Sequence, residues 1–294
     1  MPAPSRAPAL SRVVSGREPR RGAGRPLGPA SGAGELPGRG PLDPERALEA
    51  AFAFRPLAWL RRVPGRETLA WPDPGGAWVL KRFLGDDARE AWWDLLHLRR
   101  ARSPGRREAE NLAALAADGF PVPRGVAWWE ERNPGGGWGA HRFGRSAVVM
   151  ERVEHDAHLR TLLEREPGAA RRWAGAVAGL AAGLHARGWY HRDLYLQHLI
   201  PLEGGRLVLL DVGRARRQRR PRRRWFAKDL AALAHSAPAA VGARDRLRVL
   251  ALYARALGLE RRARRALARE ALERAARMAA RAPRHVDPDD GARR

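Results

Sequence analysis

The chain has no cysteine. Disulfides, thiolate metal centres and thiol nucleophiles are excluded together, and a reducing, cytoplasmic setting is the expectation. Apolar runs are short as well. None reaches the roughly 18 residues that would span a bilayer as a helix, and the first residues lack the apolar core of a signal peptide. Three tyrosines and six phenylalanines leave few rings for stacking on bases, and the eleven tryptophans fall mostly at apolar strand or helix positions. Lysine is the sharpest deficit: of 56 basic residues only Lys81 and Lys228 are lysine. A compact ammonium and a broad guanidinium fork are not interchangeable at tight sites. The two lysines are therefore candidates for such sites, the alternative being that they persist by chance.

What is present bounds the molecule further. The 294 residues carry a formal net charge of +24 and are 44% hydrophobic, enough for one or two compact domains with a sizeable core. Residues 1–41 mix Pro, Gly, Ala, Ser and Arg with almost no periodic apolar positions, which predicts a disordered tail of charge +5, a spacer or an anionic-surface tether. Asp43-Pro44-Glu45 then opens a short helix running to Phe54. Residues 66–71 and 77–83 read as a hairpin around Pro72-Asp73-Pro74-Gly75-Gly76, with Lys81 on the second strand. Residues 106–117 have helical spacing and carry Glu108 and Glu110; residues 122–129 and 147–153 read as strands joined by a Gly-rich loop. From 154 onward the pattern is helical, with a long Ala- and Leu-rich helix over 169–187 and two brief strands near Leu199 and at 207–210. A strand-rich lobe (42–153) followed by a helix-rich lobe (154–282) is an α+β arrangement with a cleft between, ending in a flexible tail at 283–294.

The chemistry-bearing strings are His191-Arg192-Asp193-Leu194-Tyr195-Leu196-Gln197-His198-Leu199 and, after a short apolar strand, Leu210-Asp211-Val212-Gly213. They resemble the catalytic loop and metal-binding element of the protein-kinase fold, with Lys81 standing where the strand lysine of that fold belongs. Together with Arg224-Trp225-Phe226-Ala227-Lys228-Asp229-Leu230, the set resembles the lipopolysaccharide core kinase family, the Kdo and heptose kinases. The resemblance covers about residues 63–257 and implies a bilobal protein-kinase-like fold and transfer of the γ-phosphoryl group of ATP to a sugar hydroxyl.

Phosphoryl transfer asks the protein mainly to position the hydroxyl and to neutralise charge. By resemblance Asp193, with Arg192 beside it, is the catalytic group that accepts the hydroxyl proton, and Asp211 holds Mg2+. Lys81 grips the ATP phosphates and pairs with Glu108; Glu110 is the weaker partner, since Leu112 lies four residues beyond Glu108 on the same helical face. His198 replaces the asparagine usual at that position. Imidazole suits hard Mg2+ poorly, so it either contacts the metal in another geometry or orients Asp211 and phosphate by hydrogen bonds. His191 and Asp229 are implied to support the catalytic loop. Met150 and Glu151, ending the first lobe, would receive adenine or else form an ordinary strand. No GxGxxG loop exists: Val63-Pro64-Gly65-Arg66-Glu67-Thr68 is the only stretch able to cover the phosphates. His155, His158, His185 and His235 show no ligand spacing and read as core or surface residues.

Eight arginines and no acid lie between Arg214 and Arg224. Guanidinium forks suit phosphate and carboxylate, so Arg214, Arg216 and Arg217, with Lys228, are candidates for binding an anionic glycolipid acceptor; a solvated basic loop and a structural ion pair are the alternatives. From Arg255 onward twelve arginines and six acids read as a basic amphipathic helix suited to an anionic membrane surface, which places the protein at the inner face of the cytoplasmic membrane. Two rivals remain. One is a kinase of the same fold acting on a protein or a small molecule, and the other a basic nucleic-acid-binding protein, since positive charge alone attracts phosphates of any sequence.

Overall fold

The computed structural model describes residues 44–54, 59–71, 78–85, 88–96, 101–132, 143–219 and 223–280. The tails expected at 1–41 and 283–294, the turn at 72–76 and nearly all of the Gly-rich loop fall outside them.

The first lobe is an antiparallel sheet of β1 (Trp59–Val63), β2 (Arg66–Ala70), β3 (Trp78–Phe83), β4 (Gly125–Arg132) and β5 (Phe143–Glu151), in the spatial order β1-β2-β3-β5-β4. Successive side chains in a strand point to opposite faces, and that alternation sorts the sheet. On β3, Leu80 joins Leu69, Trp129, Ala147 and Val149 in a cluster under α1 (Pro44–Ala53), while Phe83 joins Val148 and Met150 in the core shared with the second lobe. Lys81 shares the Phe83 face. A one-residue slip of β3 would turn it toward α1 and away from the cleft. Arg82, on the α1 side and buried, fixes that register: its Nε donates to Ala51 O at 2.6 Å and its guanidinium also bonds the Phe54 carbonyl. A cation on the last carbonyls of a helix satisfies them and complements the helix dipole.

Two helices follow β3. α2 (Ala88–Leu96) is absent from the sequence expectations, although Ala88, Trp92, Leu95 and Leu96 follow helical spacing. α3 (Pro104–Ala117) starts where Ser103 accepts from Arg106 N at 3.2 Å and ends before Gly119, whose φ of 81° few other residues adopt. β4 starts at Gly125, three residues later than the spacing predicts, since Pro121 and Pro123 cannot supply ladder donors.

The second lobe contains α4 (Leu159–Arg165), α5 (Ala169–Ala186), the short strands β6 (Trp189–Tyr190), β7 (Leu199–Leu202), β8 (Arg206–Leu209) and β9 (Arg216–Arg217), and α6 (Arg223–Ser236), α7 (Ala243–Ala256) and α8 (Arg261–Ala279). β7 pairs β8 and β6 pairs β9, each antiparallel. The basic C-terminal helix expected from 255 onward begins at Arg261, as α8, because residues 255–256 still belong to α7. Gly258, at φ 61°, ends α7, and Leu259 N returns to Ala254 O at 2.9 Å. α8 buries Leu267 and Ala271 in the shared core, so this apolar stripe faces protein rather than lipid.

Gly188 joins α5 to β6 at φ 79°, and a Cβ there would come 2.2 Å from Gln218 O, whose own N–H bonds the Gly188 carbonyl. Gly188→Ala should cost more than about 1 kcal/mol. Urea unfolding would register this as a lower midpoint at unchanged slope; an unchanged midpoint would show that β9 yields to the added methyl.

Candidate active site

The loop after β6 is shaped by one buried carboxylate. Asp229 of α6, fully buried, accepts the backbone N–H of His191 at 2.6 Å and of Arg192 at 2.7 Å. These bonds hold Arg192 at φ 75°, a left-handed conformation that strains a residue with a Cβ. His185 on α5 supports Asp229 from behind, Nε2 at 3.3 Å, with its Nδ1 2.7 Å from the Tyr253 hydroxyl of α7. Burial first, and the Asp229 charge second, push the Tyr253 phenol well above its usual range, keeping it neutral. His191 ties the loop to the next element, with Nε2 3.1 Å from Leu210 O, one residue before Asp211.

Asp211 lies across the cleft from Lys81. Lys81 Nζ bonds Glu108 of α3 and lies 3.4 Å from Asp211 Oδ1, while Glu110 is taken by Arg102 at 3.1 Å and Arg106 at 2.7 Å. Burial lowers the Lys81 ammonium, but Glu108 and Asp211 outweigh it and the net shift is upward. Burial likewise opposes Asp211 ionisation, yet Lys81, Arg66 and the two nearby histidines hold this carboxyl well below the usual range. Arg66, the first residue of β2, reaches the same carboxylate with Nη1 at 3.2 and 3.4 Å. Asn111 of α3 steadies the segment after Asp211 by donating to Val212 O and Ala215 O at 2.8 and 3.0 Å.

Asp193 faces this group from the second lobe. Arg214 Nη1 is 2.9 Å and Lys228 Nζ 3.9 Å from its carboxylate. Burial lowers the Lys228 ammonium, with Asp193 partly opposing it. His198 Nδ1 is 2.8 Å from Asp193 O and its Nε2 is 3.6 Å from Asp211 Oδ2, so this ring bridges the two aspartates. Burial lowers its pKa, against the pull of Asp211.

Three candidates are placed elsewhere. Arg216 is buried, bonded to Glu90 and 3.2 Å from Asp94, with its guanidinium over Trp93; it braces α2 and is not offered to a substrate. Arg217, next along β9 and so on the opposite face, pairs with Asp118 at 3.1 Å. The Arg192 side chain turns from Asp193 to Glu90, at 2.6 Å, because the left-handed backbone sends it that way. Glu90, almost wholly buried, thus gathers Arg192 and Arg216, with Arg107 at 3.9 Å and Arg214 at 4.0 Å. Burial opposes its ionisation, and Arg192 and Arg216 overcome that to keep it charged.

At the lobe junction Met150 is buried and Glu151 is a strand residue, paired with Trp78, its N–H donating to Arg124 O at 2.9 Å and its carboxylate 2.6 Å from Arg124. Arg66, Glu90, Asn111 and Tyr253 carry no signal in the sequence strings. Only Arg66 is hinted at, by its place after a Pro-Gly turn.

The description of the lipopolysaccharide kinase (Kdo/WaaP) family matches residues 56–253, from just before β1 into α7. The chain belongs to this family. It is 27% identical over 228 residues to the lipopolysaccharide core heptose(I) kinase WaaP of Pseudomonas aeruginosa, covering 74% of this chain and 82% of that one. Among solved structures it resembles WaaP in complex with acyl carrier protein, with a TM-score of 0.53 and 28% identity over 79% of this chain and 90% of the other. Family membership makes it a lipopolysaccharide kinase, a phosphotransferase acting on a sugar hydroxyl, and the kinase-like α+β fold is the one the sequence predicts. Among the described residues no helix is long and apolar enough to cross a membrane.

Two measurements bear on this geometry. Lys81→Arg keeps the charge but cannot fit a fork beside Glu108, and should lower ATP turnover by roughly a hundredfold; wild-type turnover would refute the need for a point charge. His158 is lowered from 6.5 to about 4 by burial, with His155 and His198 adding to it. The unfolded chain then binds a proton that the folded one refuses, so this contribution to stability is intact above about pH 6.5 and lost as pH falls toward 4. His158→Gln should flatten the pH dependence of the unfolding midpoint in that window, and an unaltered profile would exclude His158 as its source.

Proposed function

We propose that the protein transfers the γ-phosphoryl group of ATP to a heptose hydroxyl of the lipopolysaccharide inner core, with Asp193 as the group that takes the hydroxyl proton. The observation that carries this reading is the convergence of Asp193, Asp211 and the Lys81–Glu108 pair on one cleft, with His198 bonded to the Asp193 backbone and facing Asp211. The Pseudomonas aeruginosa relative, named a heptose(I) kinase, favours heptose over Kdo as acceptor.

Lys81 would hold ATP phosphate oxygens while Glu108 keeps its ammonium aimed into the cleft. Arg214, 46% exposed, and Lys228 flank Asp193 and suit an acceptor that itself carries phosphate or carboxylate groups. Asp229 and His191 act indirectly, by fixing the backbone that carries Asp193.

The residues fit one Mg2+ ion. His198 Nδ1 lies against a carbonyl, so in the neutral ring Nδ1 carries the proton and the bare Nε2 faces the Asp211 carboxylate at 3.6 Å. Two lone-pair donors turned toward each other favour a cation near them. Asp211 and His198 would hold the ion, which would supply charge neutralisation on the transferring phosphates. Exposed arginines of α8 and of the 214–224 segment suit peripheral contact with the anionic inner leaflet, where the acceptor is presented.

Labelled ATP offered with delipidated core oligosaccharides, one set ending in heptose and one in Kdo, tests this reading. Transfer to heptose is expected, and Asp193→Asn should reduce it by roughly a hundred- to ten-thousandfold. Undiminished transfer in that variant would remove Asp193 from the role of base; transfer to Kdo alone would overturn the choice of acceptor.

A further inference from the structure

The cover over the phosphate side of the cleft is unusually small. β1 and β2 are joined by Pro64-Gly65 alone, with Val63 and Arg66 already paired across the hairpin. Proline has no N–H. Gly65, at φ 78°, takes the turn position that requires a positive φ, and its carbonyl is occupied by Leu84 N at 2.9 Å. A two-residue turn pinned at its base, with one of its two amides lacking a proton, cannot cradle a triphosphate with backbone donors as a longer glycine-rich loop does. Some other group must meet the charge there.

Arg66 is placed to do so. It lies on the cleft face of β2, where it pairs with Phe83, two residue pairs along the ladder from Thr68–Lys81, so Arg66 and Lys81 are diagonal neighbours on one face of the sheet. Its Nη1 lies 3.2 Å from the same Asp211 Oδ1 that Lys81 approaches at 3.4 Å. Its side chain is 27% exposed against 11% for Lys81, which puts the guanidinium at the mouth of the site and leaves it room to move. Asp211 already has Lys81 and His198 around it. A guanidinium on its remaining side stands where an anion's oxygens would lie beside it, and a phosphate is a better bidentate partner than a carboxylate shared three ways.

We propose that Arg66 is a nucleotide-phosphate ligand: it exchanges Asp211 for the phosphate oxygens of the bound triphosphate and takes over the task of the missing glycine-rich loop. This rests on reading the cleft as a nucleotide site. Arg66 would act through its side chain from the start of β2, so its contribution should grow with the number of phosphates and be independent of the sugar acceptor.

The test is binding by the full chain of ATP, ADP and AMP, competed against a fluorescent ATP analogue in excess Mg2+, without acceptor. Arg66→Ala should weaken ATP roughly ten- to a hundredfold, ADP less and AMP hardly at all. Arg66→Lys should recover part of the loss, since it restores one charge but not the fork; matched thermal melts would establish that both variants are folded. Equal or tighter ATP binding by Arg66→Ala, with faster turnover, would overturn the proposal and make the Arg66–Asp211 contact a brake. Equal weakening of all three nucleotides would assign Arg66 to general cleft structure instead and also overturn it. Wild-type protein that binds no nucleotide would overturn this proposal and the kinase reading of the cleft together, whereas tight ATP binding without transfer to any core sugar would overturn the acceptor alone.

Discussion

The cleft depends on the Asp229 carboxylate. Sealed in the second lobe, it accepts two consecutive backbone amides at 2.6 and 2.7 Å and so holds Arg192 in a left-handed turn. The neighbouring residue, Asp193, takes its direction from that turn. A buried carboxylate is tolerated only when its hydrogen bonds are made, and here His185 and the neutral Tyr253 hydroxyl complete the set from α5 and α7. The loop is therefore joined to the helical core by polar bonds between elements that the chain brings together from 68 residues apart. Removing Asp229 would leave two loop amides and the His185 Nε2 without their shared partner, the most costly way to lose a hydrogen bond.

A second buried carboxylate organises the other side. Glu90 on α2 holds Arg192 from the catalytic loop and Arg216 from β9, so the first lobe is fastened to the second through guanidinium groups rather than apolar contact alone. This divides the arginines into two populations. Arg82, Arg107, Arg192 and Arg216 are enclosed and neutralised by carboxylates or carbonyls, and act as structural connectors. Arg214 and Arg66 retain exposure and lie on the two aspartates of the cleft. The overall charge of +24 is thus a poor guide to function until burial separates enclosed arginines from exposed ones.

The free arginines give the cleft a consistent electrostatic character. Each aspartate lies against at least two cationic groups, Asp193 between Arg214 and Lys228 and Asp211 among Lys81, Arg66 and His198. Lys81 and Arg66 hold the Asp211 carboxyl below its usual range, and the surplus positive charge around both aspartates is suited to anionic oxygens. Membership of a lipopolysaccharide kinase family fits that character, as an aminoglycoside-like cationic substrate would not.

The strings around Asp193, Asp211 and Asp229 are local, and their order along the chain was enough to indicate the fold and the family. Lys81 and Glu108 were legible for a related reason: strand alternation and helical spacing each select one face, and both faces point into the same cleft. Long-range charge pairing was not legible. Nothing in the spacing of Arg214, Arg216 and Arg217 says that the middle one is enclosed by Glu90 and Asp94 while its neighbours reach Asp193 and Asp118. The same holds for Arg66, 145 residues from the aspartate it meets. An arginine reads identically in sequence whether it braces a helix or awaits a phosphate; burial and the placement of the nearest carboxylate decide between them, and those are set only when the two lobes close on each other.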